Sequence, residues 1–330
     1  MANFIASNLE GPLSPQDNAR DLMKLFPNGG RIFEVISRYD DLLTLEGRAD
    51  DEPGDMLALI APFLILHNIS EADITGLSAK ATLTGGAVGL IDHLQADAWK
   101  IFCITTAYEP YATHLAHRLG IYAHRVASTP FPLDKLRLTL CKDEHDLLQQ
   151  LEDEIVAMPP AADDIRIKSA LDRFFREKLP TTELGAAIKE IKPVGGRRKV
   201  ATLKRFADAN EQPLSRWIVV GDSIADARML QAVEEAGGLA IAFNANESAL
   251  PYATMSLAST SISDLLEILQ AWTKGQRKGA EAIVKMKEKM GGKDNRGYFH
   301  WLSGRKDLSE IIEIHQRMRR LVREEAGKLG

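Results

Sequence analysis

The sequence predicts a doubly wound α/β fold with a parallel sheet. Four short apolar runs end in polar residues, and segments with helical periodicity lie between them. None of the four runs alternates apolar with polar residues, so each is expected to be buried on both faces, like a strand of a parallel sheet covered by helices. In this architecture ligands bind at the carboxyl ends of the strands.

The apolar runs and the segments between them give the predicted order of elements. The strands are predicted at 4–6, 101–104, 217–220 and 239–243. The helices around them are predicted at 112–119, 199–209 and 225–235. Strands that alternate with helices favour a parallel sheet with helices on both faces.

Two long segments interrupt the alternation. Residues 18–95 show helix-like runs and little strand signal, which predicts a mostly helical insertion. Residues 128–195 contain one plausible strand, 136–140, followed by helices near 143–157 and 163–178. Beyond Trp272 the chain is charged and helix-like.

Composition excludes several classes of protein. Lys and Arg number 41 against 46 Asp and Glu, and the net charge of −5 argues against a nucleic-acid partner. The N-terminus lacks the pattern of a signal peptide, and the longest apolar run, 56–66, is too short to cross a bilayer. Cys103 and Cys141 cannot form a disulfide framework in a chain of this length. We expect a cytoplasmic protein without a membrane partner.

The charge is unevenly distributed. From residue 273 onward the chain has 15 Lys or Arg and 8 Asp or Glu, so this part carries +7 and the remainder −12. One interpretation is a solvated helical face. The other is a basic surface that attracts an anionic substrate or docks on the acidic remainder of the chain.

The strongest chemical signal is the octet from Val219 to Asp226. An apolar strand runs into Gly221-Asp222, and Asp226 follows four residues later at the opening of a helix. Two converging carboxylates repel each other unless a cation lies between them, and hard oxygen ligands favour Mg²⁺. The alternative is a helix-capping aspartate beside a surface aspartate.

Three weaker signals accompany the octet. Lys199 starts a helix that precedes the Asp222 strand, where a lysine can neutralise a phosphate. Asn8-Leu9-Glu10-Gly11 ends the first strand in a polar turn, and the second strand ends in the hydroxyls of Thr105 and Thr106, which can bind a phosphoryl oxygen.

In this order and spacing the signals resemble the four motifs of the haloacid-dehalogenase (HAD) superfamily. Motif I resembles Asn8-x-Glu10-Gly11, motif II Thr105, motif III Lys199, and motif IV Gly221-Asp222-Ser223-x-x-Asp226. The stretch 197–245 is similar to phosphoserine phosphatases, and the turn from Glu10 to Ser14 resembles little-studied, mainly archaeal members.

The resemblance implies a Rossmann-like three-layer core with a parallel sheet, a helical cap and a second, smaller insertion. The implied divisions are a core of 1–17, 97–127 and 196–270, a cap of 18–96, a second insertion of 128–195, and a basic helical tail of 271–330 that packs on the core.

The resemblance also implies Mg²⁺-dependent hydrolysis of a small phosphorylated metabolite through an aspartyl-phosphate. Glu10 would be the acid and base, and Thr105, Thr106 and Lys199 would bind phosphate. The residues that would hold the metal are Asn8, Glu10 through its carbonyl, Asp222 and Asp226.

Asn8 departs from the family pattern, because a carboxamide cannot act as the attacking carboxylate. Two explanations stay open. Asparagine was placed deliberately where a native aspartate stood, or the chain is a natural non-catalytic relative that binds a phosphorylated ligand, for example as a regulatory subunit.

The expected cap emerges beside the site, so it is expected to read the leaving group of the substrate. Its best candidates for polar contacts are Arg31, Arg38, Tyr39 and Arg48. The alternative for each of these residues is an ordinary solvated side chain.

Overall fold

The computed structural model describes residues 2–46, 52–138, 140–159, 163–291 and 297–329. In these residues seven strands form one sheet: β1 (Phe4–Ser7), β2 (Lys100–Tyr108), β3 (Val126–Thr129), β4 (Trp217–Gly221), β5 (Leu239–Phe243), β6 (Met255–Ala258) and β7 (Tyr298–Trp301). Their order is β3-β2-β1-β4-β5-β6-β7, with β7 antiparallel to β6 and the other pairs parallel.

The helices of the described residues are α1 (Asn18–Met23), α2 (Gly29–Glu46), α3 (Met56–Leu66), α4 (Glu71–Lys80), α5 (Ala87–Ala96), α6 (Glu109–Arg118), α7 (Leu133–Arg137), α8 (Lys142–Val156), α9 (Asp164–Asp172), α10 (Glu183–Lys189), α11 (Gly196–Ala209), α12 (Ile224–Glu235), α13 (Leu266–Met290) and α14 (Ser309–Leu329). A non-helical residue, Gln276, interrupts α13.

Both faces of the sheet are covered, which confirms the predicted three layers. On β4, Ile218 and Val220 pack into one core with α5, α6 and α13, while Trp217 and Val219 pack into the other with α11 and α12. Successive side chains of a strand point to opposite faces, so a run that is apolar throughout fits two buried faces. The four strands predicted from such runs are β1, β2, β4 and β5, and all four are confirmed.

Three strands are not among the predicted ones. β3, β6 and β7 each contain Ser, Thr or His, so none of them has the run of three consecutive apolar residues that identified the other strands. The strand predicted at 136–140 is wrong, because residues 133–137 form α7. Leu133 and Leu136 are buried on one side of that short helix, whose three-residue spacing does not fit a strand.

The two insertions pack on each other. Helix α2 lies against α8 and α9, and α3 lies against α8 and α10. The expected cap divides in the structure, because α2 and α3 pack on these helices while α4 packs on the core helix α6 and α5 packs on β2. The backbone also holds this later part to the core, since Thr84 N donates to Leu13 O (2.9 Å) and Gly85 bridges to Ser261.

The basic tail is not only helical, because β7 adds an antiparallel strand to the sheet. Phe299 and Trp301 are buried on that strand. Arg277 of α13 donates to Glu234 Oε1 (2.7 Å) and to Gly238 O (2.8 Å), so the tail docks on an acidic residue of the core at this point.

None of the described helices is, by itself, long and apolar enough to cross a membrane. Helices α3 and α4, which meet at a bend of 116°, pass that test on length and composition only when taken as a pair.

A buried histidine of α14 predicts loss of stability in acid. His315 Nδ1 accepts from Ala245 N (2.9 Å), the side chain is 0% exposed, and burial lowers its pKa to about 3. In the unfolded chain this histidine therefore binds a proton below about pH 6.5, whereas in the folded chain it stays neutral until about pH 3. The free energy of unfolding falls as the pH drops from 6.5 towards 3. We expect a loss of about 1 kcal/mol between pH 7 and 5.5 in urea unfolding.

His315→Asn keeps an acceptor near Ala245 N and should remove this part of the pH dependence. His145 is exposed, so His145→Asn is the matched control and should keep it. Equal pH dependence in the two variants would contradict the assignment.

Candidate functional site

The site lies at the carboxyl ends of β1 and β4, where the parallel sheet predicts it. Asn8 directly follows β1, Asp222 directly follows β4, and both residues are 3% exposed. Asn8 N donates to Val220 O (2.9 Å), which holds the two strand ends side by side. Asn8 and Asp222 line one cavity together with the neighbouring residues Glu10, Thr106 and Ser223. This strand-end cavity has a volume of about 210 Å³.

The backbone conformation and the close approach of Asp222 explain why residue 11 is a glycine. Its φ is +85°, a region that other residues rarely adopt, and a Cβ atom there would lie 2.2 Å from Cγ of Asp222. The turn after β1 therefore brings its backbone directly against the Asp222 carboxylate.

Asp226 is held by the start of α12. Ser223 is the N-cap, and Asp226 Oδ2 accepts from Ser223 N (3.2 Å), Ser223 Oγ (3.2 Å) and Asp222 N (2.9 Å), which forms a capping box. Asp226 Oδ1 accepts from Lys199 Nζ (2.6 Å), and both of these side chains are 0% exposed. The alternative of an N-cap aspartate beside a surface aspartate is therefore wrong, because the N-cap is Ser223 and both Asp222 and Asp226 are buried.

The amide of Asn8 presents its nitrogen to the two carboxylates. Asn8 Nδ2 donates to Asp222 Oδ1 (3.3 Å) and to Asp226 Oδ2 (3.2 Å), while Asn8 Oδ1 accepts from Leu9 N (2.9 Å). The reverse orientation would set the amide oxygen against both carboxylates and the NH₂ group against a backbone N–H. The hydrogen bonds therefore fix the orientation of the amide.

Glu10 is arranged to hold a proton at neutral pH. Burial is the main cause that raises its pKa to about 8, and the Asp17 carboxylate adds to the effect, while the hydrogen bond from Asn18 N (2.7 Å) opposes it. A protonated carboxyl can donate a hydrogen bond or a proton to a phosphate oxygen.

Two of the predicted phosphate-binding residues do not reach the cavity. Lys199 is fully buried in an ion pair with Asp226. Thr105 is 0% exposed, and its Oγ1 accepts a hydrogen bond from Ala107 N (3.2 Å). Thr106 lines the cavity. The strand end thus offers the second threonine of the pair and not the first.

The structure corrects the prediction that polar residues of the cap contact the leaving group. Arg38 donates twice to the Asp164 carboxylate (2.8 and 2.6 Å), and Tyr39 Oη donates to Asp172 Oδ1 (2.7 Å). Arg31 donates to the backbone oxygens of Met158 (3.3 Å) and Pro159 (2.8 Å). These three side chains join α2 to the second insertion and do not line the strand-end cavity, and Arg48 lies outside the described residues.

The structure adds two arginines of α14 that the motifs did not include. Arg319 Nη1 donates to Asp222 Oδ2 (2.6 Å), and both Arg319 and Arg323 line the cavity. For Arg319, the sequence interpretation of a tail that docks on the acidic remainder is confirmed. The excess of basic residues was the available signal, but it did not identify the residue or its partner.

The side chains of this site do not fit Mg²⁺ as the structure arranges them. A divalent cation would face the Asn8 amide nitrogen, which is a donor, and an Asp222 oxygen already paired with a guanidinium. Asp226 has both oxygens engaged by donors. Among the described residues, no group of three His, Cys, Asp or Glu side chains is placed to hold a metal ion. Magnesium stays a prediction from the family resemblance.

No protein-family model matches the chain, and no match was found among curated proteins. Among solved structures, gene product AF1437 from Archaeoglobus fulgidus has a TM-score of 0.86 at 24% identity, covering 100% of this chain and 99% of that one. A HAD family hydrolase, t0658 from Salmonella enterica serovar Typhi, has a TM-score of 0.46 at 13% identity, over 74% of this chain and 64% of that one.

A probable phosphoserine phosphatase from Vibrio cholerae has a TM-score of 0.48 at 15% identity, over 78% of this chain and 60% of that one. The chain therefore shares its fold, over its whole length, with the archaeal gene product, and its structural neighbours include HAD hydrolases and phosphoserine phosphatases.

Proposed function

We propose that this chain binds a small phosphorylated metabolite in the strand-end cavity, and that the same site hydrolyses a phosphomonoester when aspartate stands at position 8. The observation that carries the proposal is Asn8, buried at the tip of β1 and fixed by hydrogen bonds to Asp222 and Asp226. The side chain occupies the place of an attacking group but has no nucleophilic oxygen.

The cavity has suitable groups for a phosphoryl oxygen. Thr106 offers a hydroxyl, Glu10 offers a carboxyl proton below pH 8, and Arg319 and Arg323 bring two positive charges. Arginine pairs with phosphate oxygens through a planar set of N–H donors.

The family resemblance supports the hydrolytic form of the site. An aspartate at position 8 would attack phosphorus and form an aspartyl-phosphate, while Glu10 protonates the leaving oxygen and then accepts a proton from water. With asparagine the attack is lost and binding is kept. This form of the site suits a regulatory subunit that senses a phosphorylated ligand.

The proposal is tested by the binding of p-nitrophenyl phosphate to the chain as it stands. We expect saturable binding by calorimetry without release of p-nitrophenol. Affinity should fall about ten-fold from pH 7 to 9, because Glu10 ionises near pH 8 and its carboxylate repels the phosphate dianion.

Glu10→Gln should bind with an affinity independent of pH in this range. Glu247→Gln changes a carboxylate outside the cavity and should behave like the parent chain. No binding at about 10 mM ligand, a concentration well above a millimolar Kd, would sink the proposal.

A further inference from the structure

The side chain of Arg319 is fixed at one end of the strand-end cavity. Its Nη1 donates to Asp222 Oδ2 (2.6 Å), to Asp222 O (3.2 Å) and to Asn244 O (3.2 Å). Asn244 is itself held, because its amide donates to Ser259 O (2.8 Å) and accepts from Ser259 N (2.9 Å). The guanidinium is therefore placed by the loops after β4 and β5.

The helix that carries Arg319 is anchored beside the site. His315 lies one turn earlier on α14, is fully buried and accepts from Ala245 N. Residues 315, 319 and 323 recur every four positions, so they share one face of the helix. That face bears the buried anchor and both cavity arginines, and it sets them against the strand ends.

The charges at the base of the site balance without a metal ion. Asp226 is paired with Lys199 (2.6 Å) and Asp222 with Arg319 (2.6 Å), while Asn8 carries no charge. At the rim, Arg323 and Asp17 line the same cavity and have opposite charges. An aspartate at position 8 would leave one negative charge without a partner, which a divalent cation could offset. Asparagine at position 8 together with arginine at position 319 thus carries the same net charge as an aspartate together with a divalent cation.

We propose that the Arg319 guanidinium supplies, in this chain, the positive charge that the family resemblance assigns to Mg²⁺, so that the site binds a phosphorylated ligand without a divalent metal. This inference rests on the proposed ligand class. Arg319 is 20% exposed, so part of the guanidinium is accessible from the cavity while Nη1 stays bonded to Asp222. A divalent cation would have to displace it from an oxygen that is almost fully buried.

The first arm of the test uses Mn²⁺ alone, followed by electron paramagnetic resonance. We expect no saturable binding to the parent chain up to about 1 mM, since Arg319 holds Asp222 Oδ2, both oxygens of Asp226 accept from other donors, and Asn8 presents its amide nitrogen. The double variant Asn8→Asp, Arg319→Ala restores a carboxylate and removes the guanidinium, so it should bind one Mn²⁺ at least about ten-fold more tightly. Tight binding of one Mn²⁺ by the parent chain, abolished by Asp222→Asn, would overturn the inference.

The second arm measures the binding of inorganic phosphate in EDTA and in Mg²⁺. The parent chain should bind phosphate equally in both, within about three-fold, and Arg319→Ala should weaken binding by about ten-fold or more. Arg320 is exposed on the same helix, so Arg320→Ala is the matched control and should bind like the parent chain. A ten-fold loss of affinity in EDTA would contradict the inference.

The two arms separate the inference from the proposed function. If phosphate does not bind under any condition, the proposed ligand class fails, while the Mn²⁺ titration of the parent chain still decides whether the site binds a divalent metal. The Mn²⁺ titration uses the parent chain alone, so its result can be interpreted even if Arg319→Ala does not fold.

Discussion

Asn8→Asp should give this chain a phosphatase activity that releases p-nitrophenol from p-nitrophenyl phosphate. The new carboxylate would stand where the Asn8 amide now lies, between the ends of β1 and β4 and beside the cavity. A missing nucleophile costs a catalytic site several orders of magnitude, so we expect a gain of about 10³-fold or more in kcat/KM. The assay contains Mg²⁺, because a third carboxylate changes the charge balance of the site.

The pH profile of that variant should identify the acid. Glu10 must carry its proton when the leaving oxygen departs, and its pKa is about 8. We therefore expect kcat/KM to decline above pH 8, because the fraction of protonated Glu10 decreases there.

Glu10→Gln in the Asn8→Asp background keeps an oxygen for Asn18 N but cannot donate a proton to the leaving group, so turnover should disappear. Glu247→Gln in the same background is the control. If Asn8→Asp shows no turnover across a broad panel of phosphate esters, the hydrolytic part of the proposal is wrong and the binding part stands alone.

The local features of this site could be predicted from the sequence because each depends on neighbours in the chain. The strands that precede Asn8 and Asp222 are apolar throughout, and a buried parallel strand has no other simple pattern. Asp226 follows Ser223 by three residues, which is the spacing of a capping box. Glycine at position 11 is likewise explained by its own backbone and by the Asp222 carboxylate.

The residues that could not be predicted depend on partners far along the chain. Arg319 meets Asp222 across 97 positions, and nothing in the sequence of α14 distinguishes it from Arg317 or Arg320. Position after motif I predicts Arg38 and Tyr39 at the site, but their partners Asp164 and Asp172 belong to the second insertion. Periodicity tells which face of a helix is buried and does not tell what covers it.

The sequence places Lys199 correctly near motif IV, yet the partner of this lysine cannot be read from spacing alone. A lysine at this position can face a phosphate or a carboxylate. The structure gives it Asp226, with neither side chain exposed. This choice changes what a substitution at Lys199 should do.

Lys199→Met should destabilise the fold strongly. The variant would leave the Asp226 carboxylate buried without its counter-ion, and breaking a buried ion pair in this way costs about 3–5 kcal/mol. Asp226 keeps its backbone donors from Asp222 and Ser223, which hold the carboxylate in place and do not supply a positive charge. The free energy of unfolding in urea measures the loss. Lys204 is exposed on the same helix, so Lys204→Met is the matched control and should change stability by less than about 0.5 kcal/mol.

The double variant Lys199→Met, Asp226→Asn removes both charges and should recover part of the lost stability, because no ion is then buried alone. Where the single variant is still folded, its affinity for p-nitrophenyl phosphate should stay within about three-fold of the parent chain, since Lys199 does not line the cavity. The opposite result, normal stability with lost binding, would show that Lys199 leaves Asp226 to hold the ligand. It would return this lysine to the phosphate-binding role that the family resemblance gives it.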